Sequence, residues 1–336
     1  MIHLLPGRPI LSPVILLAFC LSAPAVAQDT IALRDESTGR VSRFQGQVVA
    51  WDAEFLRYEA NGRQRQIRSD RVIDVAYPRT EAHLEADQQF EQGQFIQAYQ
   101  SYANAVADEP REWVKRELLA GQLRCARAID PSSAETLVAF FGLFNANSQT
   151  RFFHLIPLSW EMIRPGEPAG FDRWIDSQSE TQSLIGASWM LPIDEERSVA
   201  RLRQLANSAD SRIAHLATAQ LWRPQTIAAK PEDVQRWRAA IDRMPGELQA
   251  GPRYLLALTK KRNEQAEAAA IAMLQIPILF PGEYQLSGSA LLEAHNLLSS
   301  SGRDREATIV LAELQRDFGF SRAALKSGAR IENLDQ

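Results

Sequence analysis

The fold is decided by residues 81–110, which read EAHLEADQQFEQGQFIQAYQSYANAVADEP. In the first half, small or apolar residues recur every three or four positions, at Ala82, Ala86, Phe90 and Gly93. In the second half the same period continues as a longer stripe formed by Phe95, Ala98, Tyr99, Tyr102, Ala105 and Val106. This is the period of an amphipathic helix. The stretch therefore predicts two helices that pack together as a hairpin.

The same residues resemble a tetratricopeptide repeat, a helical hairpin of about 34 residues. The matching positions are Ala86, Gly93, Phe95, Ala98, Tyr102, Ala105 and Pro110. Small alanines let paired helices approach closely, the glycine frees the turn, and the proline ends the second helix. The resemblance implies a stack of such hairpins that captures an extended peptide or docks a partner protein.

Helical patterns continue over residues 80–330, so the hairpins are expected to stack into one solenoid. A second copy of the repeat pattern lies near the end, at Ala294, Gly302, Ala307, Leu311 and Leu314. Residues 151–168 and 276–281 fit the array less well because prolines stop a helix in each. Both segments are apolar, so we expect buried connectors between hairpins, with a binding groove as the alternative.

Residues 28–79 show a different pattern, in which short strand-like runs are separated by turn signals. The runs are 30–33, 44–51, 54–59, 64–67 and 72–77. Asn61-Gly62 predicts a two-residue hairpin because both positions tolerate positive φ. Residues 67–72 predict one 3₁₀ step into a closing strand. These features predict a small all-β, barrel-like module that resembles SH3-like or Sm-like barrels in architecture.

Two features of this module suggest a ligand, and each has a structural interpretation. Arg63 and Arg65, with other arginines near them in sequence, could form a basic patch for an acidic polymer or partner, but interleaved acidic residues favour an ordinary wet strand face. Trp51 and Tyr58 could form an aromatic shelf, but a barrel this small needs large side chains for its core. We favour the structural interpretation of both.

The N-terminal 27 residues predict a signal peptide cleaved after Ala27, and hence a periplasmic or secreted protein. An uncleaved anchor and a lipoprotein attached through Cys20 are the alternatives. Cleavage would leave Cys125 as the only cysteine, so no internal disulfide is expected. The net charge of −4 argues against nucleic acid as a partner, and no membrane span is expected in the mature chain. Residues 331–336 form a C-terminal tail.

The sequence contains no recognisable catalytic motif, and we assign no catalytic, cofactor-binding or metal-binding residue. The histidines are dispersed and lack partners at metal-ligand spacing, and His215 is the one most expected to be buried. Arg124 and Arg127 could lower the pKa of the Cys125 thiol, but its place on a helix stripe favours a packed structural thiol. The tryptophans of the array could bind sugar, yet core packing is favoured.

Three functions follow from these observations, and the first is favoured. The chain is predicted to be a non-enzymatic exported scaffold or adaptor that binds a protein or peptide partner through its helical surface, with no cofactor. Polar positions such as Gln89 and Gln92 on the first helix of the hairpin are expected in the groove. The alternatives are a structural cell-envelope protein whose β module contacts wall polymer or another subunit, and an enzyme whose site is assembled from distant positions.

Overall fold

The computed structural model describes residues 28–35, 38–146, 148–162, 170–262 and 265–332. The predicted signal peptide and all but the first two residues of the predicted tail lie outside these ranges. The chain is mainly α-helical behind a small all-β module, as the sequence predicts. None of the described helices combines the length and apolar character that crossing a membrane requires.

The β module is one antiparallel sheet in the order β4-β3-β2-β1-β5. Its strands are β1 Asp29–Arg34, β2 Val41–Trp51, β3 Phe55–Ala60, β4 Arg63–Arg68 and β5 Val72–Ala76. The predicted hairpin is confirmed, since Asn61 and Gly62 join β3 to β4 with φ of 54° and 70°. The predicted 3₁₀ step is confirmed at Ser69–Arg71. All five predicted strands are present.

The prediction of a barrel-like module is corrected to an open sheet. The strands β4 and β5 lie at opposite edges and are not hydrogen-bonded to each other. Every residue of β4 is at least partly exposed. One face of the sheet is covered instead by helices, because Ile31, Leu56 and Tyr58 share a core with the first three helices. The helical cover supplies the burial that closure of the sheet would otherwise provide.

Fourteen α-helices lie within the described residues. They are α1 Glu81–Glu91, α2 Phe95–Asp108, α3 Glu112–Ile129, α4 Ala134–Ala146, α5 Phe171–Trp174, α6 Glu180–Met190, α7 Glu195–Leu205, α8 Ser211–Gln220, α9 Pro231–Ile241, α10 Ala250–Arg262, α11 Ala266–Leu279, α12 Tyr284–Ser300, α13 Asp304–Asp317 and α14 Arg322–Glu332. Each helix packs on the next from α1 to α4, from α5 to α8 and from α9 to α13. The array is therefore built mainly from neighbours in sequence.

The two hairpins singled out in the sequence are both present. In the first, the Thr80 side chain accepts a hydrogen bond from the His83 N–H and so caps α1. Gly93 adopts φ +72° in the turn before α2. Gly302 adopts the same φ between α12 and α13. A residue with a Cβ is strained in this left-handed conformation, which explains a glycine at both turns.

The two ends of the helical array are in contact with each other. The Tyr284 ring at the start of α12 lies 4.8 Å from the Phe95 ring at the start of α2. The Arg127 side chain on α3 binds both carboxylate oxygens of Glu283, at 3.1 and 2.6 Å. Arg322 on α14 is 2.7 Å from Asp130, just after α3. The last helices thus complete the packing of the first ones.

The two proline-containing segments behave differently. Of the predicted connector 151–168, residues 151–158 are largely buried, with a 3₁₀ turn at Phe153–Leu155, and residues 163–168 lie outside the described ranges. The prediction for 276–281 is wrong, because α11 continues through Pro277 to Leu279. Ile278 and Leu279 are 73% and 53% exposed, so this segment is a helix end rather than a buried connector. Pro277 is buried within α11, a helix that packs on α10 and α12, and that packing outweighs its missing N–H.

Buried aromatic residues occupy the cores between the hairpins, as the sequence analysis favoured. Trp113, Trp189, Trp222 and Trp237 are each at most 4% exposed. Trp222 and Trp237 stack at 5.2 Å between ring centroids. Cys125 is fully buried, and burial raises the pKa of its thiol to about 12. Packing therefore decides the role of this thiol, and its arginine neighbours do not activate it.

Candidate functional site

A polar cleft lies between α1 and α3 and encloses about 320 Å³. The α1 wall carries His83, Asp87, Phe90 and Glu91. The α3 wall carries Glu117, Gly121 and Arg124. Both sets recur at three- or four-residue spacing, so each places its side chains on one face of a helix. Tyr77, Arg79 and Tyr102 complete the lining.

Asp87 is the centre of a hydrogen-bonded group in this cleft. Its carboxylate accepts from Arg79 Nη1 at 2.7 Å and from the Tyr102 hydroxyl at 2.7 Å. His83 Nε2 lies 3.6 Å from the same carboxylate. Burial lowers the pKa of His83 against the opposing attraction of Asp87, and burial together with the Asp87 contact raises the pKa of Tyr102. Tyr102 is thereby fixed as a hydrogen-bond donor, not a nucleophile.

Gly121 allows the Tyr102 ring to lie directly against α3. A Cβ placed on Gly121 would be 2.7 Å from two carbons of that ring, closer than any normal contact. The glycine is therefore required by this close approach, since its backbone is ordinary helix. Gly121 in turn positions the Tyr102 hydroxyl at Asp87.

Glu117 connects the cleft to the β module. Its carboxylate is ion-paired with Arg151, which follows α4 in the connector. The Arg151 guanidinium carbon lies 3.7 Å from the centroid of the Trp51 ring in β2 and 4.2 Å from that of Phe152. Burial lowers the pKa of Arg151 to about 10. Cation–π stacking and the ion pair together hold this buried arginine at the junction of sheet and helices.

Arg124 differs from the other cationic groups around the cleft. It forms no hydrogen bond or ion pair with any residue in the described part of the chain, and its guanidinium carbon lies 5.7 Å from the Phe152 ring centroid. Burial lowers the pKa of Arg124. Beside it, burial and the charge of Arg124 lower the pKa of His154 to about 4, so His154 is neutral at pH 7.

Two apolar grooves lie elsewhere on the helical surface. One, of about 260 Å³, is formed by α2, α3 and the start of α4 around Ile96, Tyr99 and Ile129. The other lies between α11 and α13 around Ile271 and Ile309. Ile96 and Ile309 are 62% and 60% exposed. Neither groove carries a buried polar group that would select a ligand.

The polar groove positions expected from the sequence are not in the cleft. The Gln89 side chain donates to Glu85 and accepts from Ser101, so it bridges α1 and α2. Gln92 is exposed beyond the end of α1. His215 is only partly buried, whereas His83 is 4% exposed. The sequence offered one signal for the cleft, the helical spacing of Glu117, Gly121 and Arg124.

Two arginines of the β module are ion-paired within it. Arg57 and Arg68 are paired with Asp52 and Asp70, respectively. Arg65 lies opposite Tyr58 across β3 and β4, and it is exposed at the sheet edge. The Tyr58 ring packs on Phe44 at 5.1 Å and is buried, which supports its core role.

No group of three or more His, Cys, Asp or Glu side chains within the described residues is arranged to hold a metal ion. Comparison with protein-family models, curated proteins and solved structures finds no match. Functional inference for this chain therefore rests on its own geometry.

Proposed function

We propose that this chain is a non-enzymatic, exported scaffold or adaptor that binds an extended segment of a protein partner in the cleft between α1 and α3. The observation that carries the proposal is the cleft itself, an open space between the first helices of two successive hairpins. Its lining combines aromatic rings with hydrogen-bonding and charged groups, which is the composition that orients a bound ligand.

The fold supports this proposal in two further ways. The α1–α2 and α12–α13 hairpins carry the small residues and turn glycines that resemble tetratricopeptide repeats, and we assign them to that type. We assign the sheet, with its 3₁₀ turn before β5, to the SH3-like or Sm-like type in an open form. In this assignment the β module supports one end of the cleft through Arg151 and Tyr77, and the helices present the binding surface.

Photo-crosslinking in cells that naturally produce the protein tests the proposal. The photo-reactive residue p-benzoylphenylalanine replaces Glu91, which lines the cleft, or Gln92, its exposed neighbour outside the cleft. We expect a discrete protein adduct from position 91 and none from position 92. Equal labelling from both positions contradicts binding in the cleft.

A third position tests the envelope alternative. Arg65 is exposed on the edge strand β4, away from the cleft lining. Adducts formed only from position 65, or sedimentation of that variant's adduct with cell-wall polymer, would favour a structural contact made by the β module. Labelling from position 91 without labelling from position 65 supports the helical binding surface.

A further inference from the structure

Two charged groups of the cleft lining, Arg124 and Glu91, have no ion-pair partner among the described residues, and Arg124 is the one that is partly buried. The Asp87 carboxylate is bound by Arg79, and the Glu117 carboxylate is bound by Arg151. Deeper in the molecule, the Glu283 carboxylate is bound through both oxygens by Arg127. These three pairs use the carboxylates of Asp87, Glu117 and Glu283, and Glu91, the acidic residue of the lining with no ion pair among the described residues, is exposed to solvent.

A cation without a partner in such a place is unfavourable for the free protein. Arg124 is partly buried. A guanidinium that is withdrawn from water ordinarily gains hydrogen bonds from a carboxylate or from backbone carbonyls, and withdrawing it without them is costly. Arg124 instead borders the aromatic ring of Phe152 and opens on the cleft. The neighbouring His154 is neutral at pH 7, so it adds no positive charge beside Arg124. An anion that enters the cleft would satisfy donors that are left free in the fold.

We propose that Arg124 is the anchor for a carboxylate group of the ligand that the cleft binds. A guanidinium accepts a carboxylate through two parallel hydrogen bonds. The carboxylates of Asp87, Glu91 and Glu117 in the same lining oppose a dianion such as phosphate more strongly than a monoanion. The aromatic rings of Tyr77, Phe90 and Tyr102 provide contact area for the apolar part of a ligand.

This inference names the ligand class for the proposed binding function and therefore rests on it. The ligand is a segment of a protein that presents one carboxylate beside an apolar side chain. That carboxylate comes either from an acidic side chain or from a chain terminus. Both sources share the chemistry that Arg124 recognises, and the experiment below separates them.

Small-molecule binding tests the anchor in the whole protein. Benzoate, its neutral counterpart benzamide, and inorganic phosphate are titrated while NMR follows the Arg124 side-chain N–H and the Gly121 backbone N–H. We expect a saturable shift with benzoate and affinities at least about tenfold weaker for benzamide and phosphate, the size of one lost charged hydrogen-bond pair. Equal affinity for benzoate and benzamide, or tighter binding of phosphate, overturns the proposal.

Two variants provide the controls. Arg124→Gln keeps a side chain of similar polarity but removes the charge, and we expect at least about tenfold weaker benzoate binding with folding retained. Arg116→Gln changes a partly buried arginine of the same helix that does not line the cleft, and we expect unchanged binding. Equal benzoate affinity in both variants refutes the role of Arg124.

Two peptides distinguish the sources of the carboxylate. N-acetyl-Phe-Glu-amide carries only a side-chain carboxylate, and N-acetyl-Phe-Gln carries only a terminal one. Arg124-dependent binding of either peptide supports the anchor and identifies the source, and binding of neither overturns it. If crosslinking from position 91 persists in Arg124→Gln and the parent protein does not bind benzoate, the role of Arg124 is rejected while the proposed protein partner stands. If positions 91 and 92 crosslink equally and benzoate still binds, the proposed protein partner is rejected while the role of Arg124 stands.

Discussion

Replacement of Arg223 by Met removes the most deeply buried charge in the described chain. Arg223 is 1% exposed and joins three separate parts of the array. Its Nη1 donates to the Ser188 carbonyl at 2.6 Å and to Gln220 Oε1 at 2.7 Å, and its Nη2 donates to the Glu161 carbonyl. Burial lowers the pKa of Arg223 to about 9, which still leaves it charged at pH 7.

The magnitude follows from the acceptors that lose their donor. The Ser188 carbonyl is near the end of α6, and Pro192, four residues later, has no N–H to replace the guanidinium. Hydrogen bonds to charged groups contribute about 1.5–3 kcal/mol each, and Met fills most of the vacated volume while avoiding the cost of a buried charge. The bonds to the Ser188, Gln220 and Glu161 oxygens are all lost, and against that relief we expect a net loss of about 3 kcal/mol in the free energy of unfolding.

Thermal and urea unfolding of the purified protein measure this loss. We expect Arg223→Met to lower the melting temperature by about 6–12 °C, given about 2–4 °C per kcal/mol for larger chains. Arg203→Met changes an exposed arginine on α7 and should leave the midpoint unchanged. A midpoint for Arg223→Met equal to that of Arg203→Met would refute the idea that this network holds the connector and α6 together.

Three further predictions concern single residues. His154 has a folded-state pKa of about 4, below the ordinary 6.5, so its contribution to stability is complete above pH 6.5 and falls as pH drops toward 4. In urea titrations, the wild type should lose about 2 kcal/mol more of its free energy of unfolding than His154→Gln between pH 8 and pH 5. Equal losses would contradict burial of the neutral ring. Gly121→Ala should lower the free energy of unfolding by about 1–3 kcal/mol in the same assay, because the new Cβ displaces Tyr102. Adding Tyr102→Leu to the same chain should recover part of that loss, and additive effects of the two changes would exclude the close contact. Gly93→Ala should lower the melting temperature more than Gly302→Ala does. Both glycines have φ +72°, but only a Cβ at Gly93 would also meet a ring, 3.1 Å away. Equal melting temperatures would show that backbone strain alone decides both effects.

Local sequence signals predicted those parts of the fold that depend on neighbouring residues. Asn61-Gly62 fixes the β3–β4 turn because positive φ at both positions is a property of the two residues themselves. Gly93 and the stripe around Ala98 fix the first hairpin in the same way. The open form of the sheet could not be predicted, because α1–α3 cover its face and no signal within residues 28–79 reports that cover.

Errors occurred where tertiary packing overrides a local rule. Proline normally ends a helix, yet Pro277 lies buried inside α11, which packs on α10 and α12. Gln89 is a polar residue at a position expected in the groove, but its side-chain amide is hydrogen-bonded to Glu85 and Ser101.

The cleft was missed for a related reason. Arg124 is of interest because it has no ion-pair partner within the described ranges. Arg151 binds the Glu117 carboxylate and Arg127 binds the Glu283 carboxylate, and each of these pairs joins residues that are far apart in the sequence.

The contact between the two ends of the array imposes an order on folding during synthesis. Phe95 and the turn at Gly93 are made early, but the rings that cover them, Tyr284 and Phe320, come from the last part of the chain. An open repeat array can fold progressively from its first repeat, since each repeat needs only its neighbours. This chain cannot complete its first hairpin until its last helices exist. A newly made chain therefore exposes an apolar surface at Phe95 until the final residues have been added.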